Sequence, residues 1–202
     1  IQKEFAVKGD ARLELDVNLP ENAKFAADCT LKSGDVVLHG LSLEPLDQAE
    51  KSPSEKWEKA IQAFEAADRT NPPPKGAILF TGASNIVRWN TLTKDFPEHK
   101  LIVRGFGGSQ IADVVYYADR IVIPCKPKMI VLDSGGNDLR AGKSPEAVSG
   151  DFKAFVEKVR AKLPEVRIAY ISRGPSAREN ANDDILKFNK LVKDYIGQRK
   201  NL

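Results

Sequence analysis

Ala77-Ile78-Leu79-Phe80-Thr81-Gly82-Ala83-Ser84-Asn85 sets an unbroken apolar run directly against a glycine turn and a serine. A strand that faces solvent on one side alternates apolar and polar residues. A run this continuous suits a parallel strand buried on both faces. Three more such runs follow: Leu101 to Val103, Met129 to Leu132, and Val166 to Ile171. Between them, apolar residues recur at helical spacing, as in Ile111, Val114, Val115 and Ala118, and again in Val148, Phe152, Phe155 and Val159. Ser144-Pro145 opens the second of these helices and Pro164 stops it. A last helix carries Ile185, Phe188, Val192 and Tyr195. The order β-α-β-α-β-α-β-α predicts an α/β fold with a doubly wound, flavodoxin-like parallel sheet. A further strand is expected to begin near Asn201-Leu202, so the last strand of the sheet is expected to be missing from these 202 residues.

Towards the N-terminus, Asn71-Pro72-Pro73-Pro74-Lys75-Gly76 is a stiff connector. Before it, Ser52 can cap a helix, Pro53 suits its first turn and Glu55 completes a capping box. Trp57, Ala60, Ile61 and Phe64 continue it at helical spacing. Further upstream, residues 11 to 18 alternate apolar and polar, and Asp35 to Leu43 reads as extended after the turn signal Lys32-Ser33-Gly34. The expected organisation is therefore a short β-rich segment over residues 1–48, as an appendage or the end of a larger β domain, and a parallel α/β domain over 49–202.

Composition bounds the function classes. Apolar residues make up 42% and charged residues 29% of the chain, a globular balance. No apolar stretch approaches the roughly 20 residues needed to span a bilayer. The net charge is +3, with both signs scattered, so no nucleic-acid partner is expected. Cys29 and Cys125 match no metal spacing. Two unpaired thiols are expected, and neither a metal nor another cofactor. The chain starts at Ile1, which is compatible with removal of a secretory signal and a secreted or periplasmic location.

In an open parallel sheet, ligands sit beyond the carboxyl ends of the strands. Ser84, Gly108 and Asn137 all fall just after such ends, on three successive connections. Taken singly, Ser84 reads as a helix N-cap, Gly107-Gly108 as a glycine turn and Asn137 as an Asx turn or cap. Taken together they supply a hydroxyl beside a helix N-terminus, a glycine N–H able to approach a ligand and an uncharged side-chain donor. Arg173 and Ser172 follow the fourth strand, where they are placed to line the pocket, although a solvated loop arginine is the first expectation.

On these residues the sequence resembles a known family. Thr81-Gly82-Ala83-Ser84, Arg104-Gly105-Phe106-Gly107-Gly108-Ser109-Gln110 and Gly135-Gly136-Asn137-Asp138 are similar to the first three blocks of the SGNH, or GDSL-type, hydrolases. The likeness is closest to a bacterial branch of esterases and covers about residues 53 to 202. It implies that Ser84 is the nucleophile and that the Ser84 N–H, the Gly108 N–H and the Asn137 side chain form an oxyanion hole. It also implies metal-free hydrolysis of carboxylic esters and some thioesters; the expected substrate is a small-molecule or carbohydrate ester, such as an acetylated sugar or a short acyl ester. Ala83 stands where many members have aspartate and Val103 where many have asparagine; neither position is the nucleophile or a required donor.

The family's fourth signature, Asp-x-x-His, has no match here, so the catalytic aspartate and histidine are not found in this chain. The two histidines are His39 and His99. His99 lies in the polar stretch Phe96-Pro97-Glu98-His99-Lys100, and His39 is one residue too far from Asp35 to complete the signature. A serine without a base is a poor nucleophile. The expectation is that the last strand and its Asp-x-x-His loop lie outside these residues, on a longer parent chain or a separate C-terminal fragment. The alternative is a catalytically inactive binding protein on the same scaffold. A nucleotide-binding module is the third reading, since Gly105-Phe106-Gly107 opens a helix and Asp133 ends the next strand, but Gln110 occupies the place of the third glycine.

Overall fold

The computed structural model describes residues 5–7, 23–32, 35–45, 53–175, 181–199 and 201. The chain divides into two compact units, Ile1–Ser52 and Pro53–Leu202. In the first, β1 (Phe5–Val7), β2 (Ala23–Lys32) and β3 (Asp35–Pro45) form an antiparallel sheet in the order β1-β3-β2. Asp28 pairs with Gly40 and Cys29 with Leu38, so the register steps over His39. The alternating stretch 11–18 and the expected cap Ser52 lie outside the described residues.

In the second unit the expected parallel sheet is present. Its strands are β4 (Ile78–Gly82), β5 (Leu101–Gly105), β6 (Met129–Asp133) and β7 (Arg167–Tyr170). They are parallel throughout, in the order β5-β4-β6-β7. The helices are α1 (Glu58–Thr70), α2 (Ser84–Arg88), α3 (Leu92–Asp95), α4 (Ile111–Ile121), α5 (Gly136–Arg140), α6 (Pro145–Lys162) and α7 (Ala181–Gly197). Ser144 caps α6 by accepting the Ala147 N–H at 3.2 Å, with Pro145 in its first turn. The helix expected from Pro53 starts later. Pro53–Trp57 is a 3₁₀ turn and the α-helix begins at Glu58. The tighter turn is held by side chains of α4: the Ser54 hydroxyl donates to Asp113 at 2.6 Å, and the Tyr117 hydroxyl donates to the Ser54 carbonyl at 2.9 Å.

Side chains leave successive strand positions on opposite faces, and the core divides accordingly. Leu79, Ile102, Ile130, Leu132 and Ile168 join Ile61, Val114, Tyr117, Phe152, Phe155 and Phe188 from α1, α4, α6 and α7. Ile78, Phe80 and Val131 point to the other face, with Ile86 of α2 and Leu92 of α3. There, Phe80, Trp89 and Phe96 pack as an aromatic triad with centroids 5.6–5.9 Å apart. Cys125 is a buried free thiol. Burial pushes its pKa up, so it has the character of a core side chain rather than of a reactive nucleophile. Among the described residues no group of acidic, histidine or cysteine side chains could hold a metal ion, and no helix is long and apolar enough to cross a membrane.

Candidate functional site

The carboxyl ends of β4, β5 and β6 are bonded to one another beyond the sheet ladder. The Ala83 N–H donates to the Asp133 carbonyl at 2.9 Å, and the Phe106 N–H to the Gly82 carbonyl at 2.9 Å. The Thr81 hydroxyl donates to the Arg104 carbonyl at 3.0 Å. Gly82 makes this convergence possible. Its φ is +131°, and a Cβ there would stand 2.0 Å from the Asp133 carbonyl oxygen. A side chain at this position would force the ends of β4 and β6 apart.

Ser84 is the first residue of α2. The cap position belongs to Ala83, with no side-chain cap. The single-residue expectation of a capping serine therefore fails: Ser84 is a half-buried residue whose hydroxyl is not used as the helix cap. At five residues, α2 is a little over one turn, so the macrodipole argument weakens. The loop after β5 runs beside this serine: a Cβ on Gly107 would lie 4.0 Å from the Ser84 Cβ. Gly107 and Gly108 are both exposed. Gly108 takes a positive φ of +84°, and a Cβ on it would meet the Trp57 ring at 3.2 Å.

Asn137 also departs from its single-residue reading. Its Nδ2 donates to the Ser109 carbonyl at 2.8 Å, which ties the loop after β6 to the loop after β5 and leaves the second amide hydrogen for another acceptor. The next residue adds a second tie. Fully buried Asp138 accepts the Ile111 N–H at 3.2 Å on each carboxylate oxygen and pairs with Lys143 at 3.4 Å. Burial raises the Asp138 pKa despite that lysine. The loops that carry Ser84, Gly108 and Asn137 thus form one bonded cluster at a single edge of the sheet.

Arg173 contradicts the expectation of a solvated loop arginine. Its Nη1 pairs with the Asp133 carboxylate, whose side chain is only 6% exposed. The same carboxylate accepts from Asn85 Nδ2 at 3.3 and 3.2 Å. Asp133, the acid that a dinucleotide site would present to ribose, is thereby engaged inside the cluster. Asn189 of α7 holds the Arg173 backbone from both sides: Oδ1 accepts the Arg173 N–H at 2.9 Å and Nδ2 donates to its carbonyl at 2.8 Å. Sequence reasoning missed Asn85, Asp133 and Asn189 as partners of the site. The one available signal was a buried-strand aspartate needing a counter-charge, with nothing local to say which.

His99 does not approach Ser84. It is exposed and precedes β5, at the amino ends of the strands, whereas Ser84 follows a carboxyl end. His39 belongs to β3 in the other unit.

A parallel sheet in this order, with its serine, glycine and asparagine loops joined at the carboxyl edge, is the scaffold of the SGNH hydrolases. The chain belongs to the GDSL-like lipase/acylhydrolase family, whose model matches residues 62–201. Solved structures share this fold. A candidate acylhydrolase from Bacteroides fragilis superposes with a TM-score of 0.62 at 21% identity, covering 74% of this chain and 75% of that one. A GDSL-like lipase from Bacteroides thetaiotaomicron gives 0.59 at 18%, over 72% and 74%. A protein from Streptococcus pneumonia designated a candidate platelet activating factor gives 0.65 at 18%, over 73% and 72%. No match to a curated protein sequence was found.

Proposed function

We propose that the protein is a serine ester hydrolase acting through an acyl-Ser84 intermediate. The observation that carries this reading is the bonded cluster itself, in which an uncapped serine stands beside a diglycine and an asparagine with an amide hydrogen to spare. Ser84 Oγ attacks the ester carbonyl carbon, and the oxygen that becomes anionic is held by the N–H groups of Ser84 and Gly108 and by Asn137 Nδ2. Collapse expels the alcohol, which takes up the serine proton. Water then repeats the attack on the acyl-serine and releases the acid. The substrate class is a carboxylic ester of a small molecule or carbohydrate, with acetyl or another short acyl group.

The reaction also needs a base. In this reading the base is the histidine of an Asp-x-x-His signature, which residues 1–202 do not contain.

Turnover of p-nitrophenyl acetate tests the proposal, measured on residues 1–202 alone and on a chain extended at its C-terminus. The extended chain is expected to be the active one. Ser84→Ala abolishes turnover, and Asn137→Ala lowers kcat by about 10²–10³-fold, the typical cost of one oxyanion donor. Inactivity of both chains, or full activity in Ser84→Ala, overturns the reading.

A further inference from the structure

Asp133 is a buried carboxylate that hydrolysis by Ser84 leaves unused, and its partners all border the site. From one side it accepts the amide of Asn85, the residue that follows Ser84. From the other it pairs with Arg173, and its own backbone carbonyl accepts the Ala83 N–H. The Arg173 side chain lies along the loop after β6: a Cβ on Gly136 would meet its Nε at 3.2 Å and its Cζ at 3.5 Å. Gly136 precedes Asn137. A single carboxylate–guanidinium pair therefore touches the serine turn on one side and the asparagine loop on the other.

The chemistry favours this geometry over a chance contact. A carboxylate with so little exposure is costly without a counter-charge. A planar guanidinium can bond a carboxylate with one nitrogen while its flat face lies along a glycine backbone, which a lysine ammonium cannot do. The loop that delivers the arginine is itself anchored, because Asn189 binds the Arg173 backbone through both its donor and its acceptor.

Resting on the hydrolase reading above, we infer that Arg173, acting through Asp133 and Asn85, is a positioning residue that sets the Ser84 hydroxyl against the Asn137 donor. It does not touch the reacting atoms. Its loss relaxes the serine turn and the asparagine loop together, so the chemical step suffers while substrate affinity does not.

The test uses the chain that turns over p-nitrophenyl acetate. Arg173→Gln is expected to lower kcat by roughly 10- to 100-fold, the scale of a small misplacement, with KM within about threefold. In an Asp133→Asn background the same substitution adds little, because the pair acts as a unit. Arg173→Lys, which keeps the charge and protects folding, recovers part of kcat. Arg167→Gln, on the exposed amino end of β7, leaves it unchanged. An unchanged kcat in Arg173→Gln, or a loss carried wholly by KM, overturns the inference while leaving the hydrolase reading standing. If no chain turns the ester over, the hydrolase reading fails and positioning is read from the amide resonances of Ser84 and of the Asn85 side chain. These shift in Arg173→Gln and not in Arg167→Gln; identical spectra overturn the inference on their own.

Discussion

On one face of the parallel sheet, α1, α4, α6 and α7 bury aromatic and branched side chains to zero exposure. On the other, the described residues offer the short α2 and α3, and Leu101, Val103, Met129, Ala169 and Ile171 are only partly covered. Ser84 belongs to the thin side. The thick face has many redundant contacts to hold the strands in register. The thin face has few, and it relies on hydrogen bonds and one ion pair to fix the serine turn. Stability and reactivity should therefore respond to different substitutions.

Gly82→Ala should have the largest effect, because it strikes where the ends of β4 and β6 meet. The positive φ alone costs about 1–3 kcal/mol for a residue with a side chain, and the added carbon would stand 2.0 Å from the Asp133 carbonyl oxygen. The variant is expected to lose the cooperative urea transition of the native protein. Phe152→Ala comes next, on the thick face. Phe152 is fully buried and packs edge-on against Tyr170 and Tyr195. Its truncation should lower unfolding stability by about 3–5 kcal/mol, with kcat largely retained in the population that remains folded.

Ile86→Ala is the corresponding cut on the thin face. Ile86 is 1% exposed, and its Cγ2 lies 2.8 Å from where a Cβ on Gly105 would be. A stability loss near the low end for such truncations, about 2 kcal/mol, should come with a fall in kcat, since the side chain seats the helix that begins at Ser84. Equal kcat losses in Phe152→Ala and Ile86→Ala would break the division between the faces.

The smallest effect lies at the rim of the thick face. Arg120 of α4 donates to Glu58 and Glu65 of α1. The hydrogen bond from Arg120 is the main cause that lowers the Glu58 pKa, from an ordinary 4.5 to about 2. A carboxylate with a depressed folded-state pKa contributes stability above its unfolded value and loses it on acidification. Urea midpoints should therefore fall between about pH 4.5 and pH 2, and Glu58→Gln should flatten that fall. The groups are partly exposed, so the change is small.

The same contrast explains what the sequence made legible. Ile78, Leu79 and Phe80, or Met129 to Leu132, read as strands because burial on both sheet faces demands a continuous apolar run. The helices of the thick face showed their spacing for the same reason. Ser84, Gly108 and Asn137 were readable as a set because each follows such a run. Their actual partners were not. Asn137 bonds a carbonyl 28 residues away and Arg173 pairs with an aspartate 40 residues away, and no local pattern encodes either. The α-helix starts at Glu58 rather than at Pro53 because contacts from Asp113 and Tyr117, distant in sequence, hold the preceding turn.

Mapping the acyl adduct shows whether Ser84 is the nucleophile. The hydrolytically active chain, quenched in acid during turnover of p-nitrophenyl acetate, is digested and its peptides are weighed. Acetyl on the peptide that contains Ser84, absent in Ser84→Ala, is the expected result. Turnover with no label on that peptide, or with the label on another residue, would contradict the assignment of Ser84 as the nucleophile.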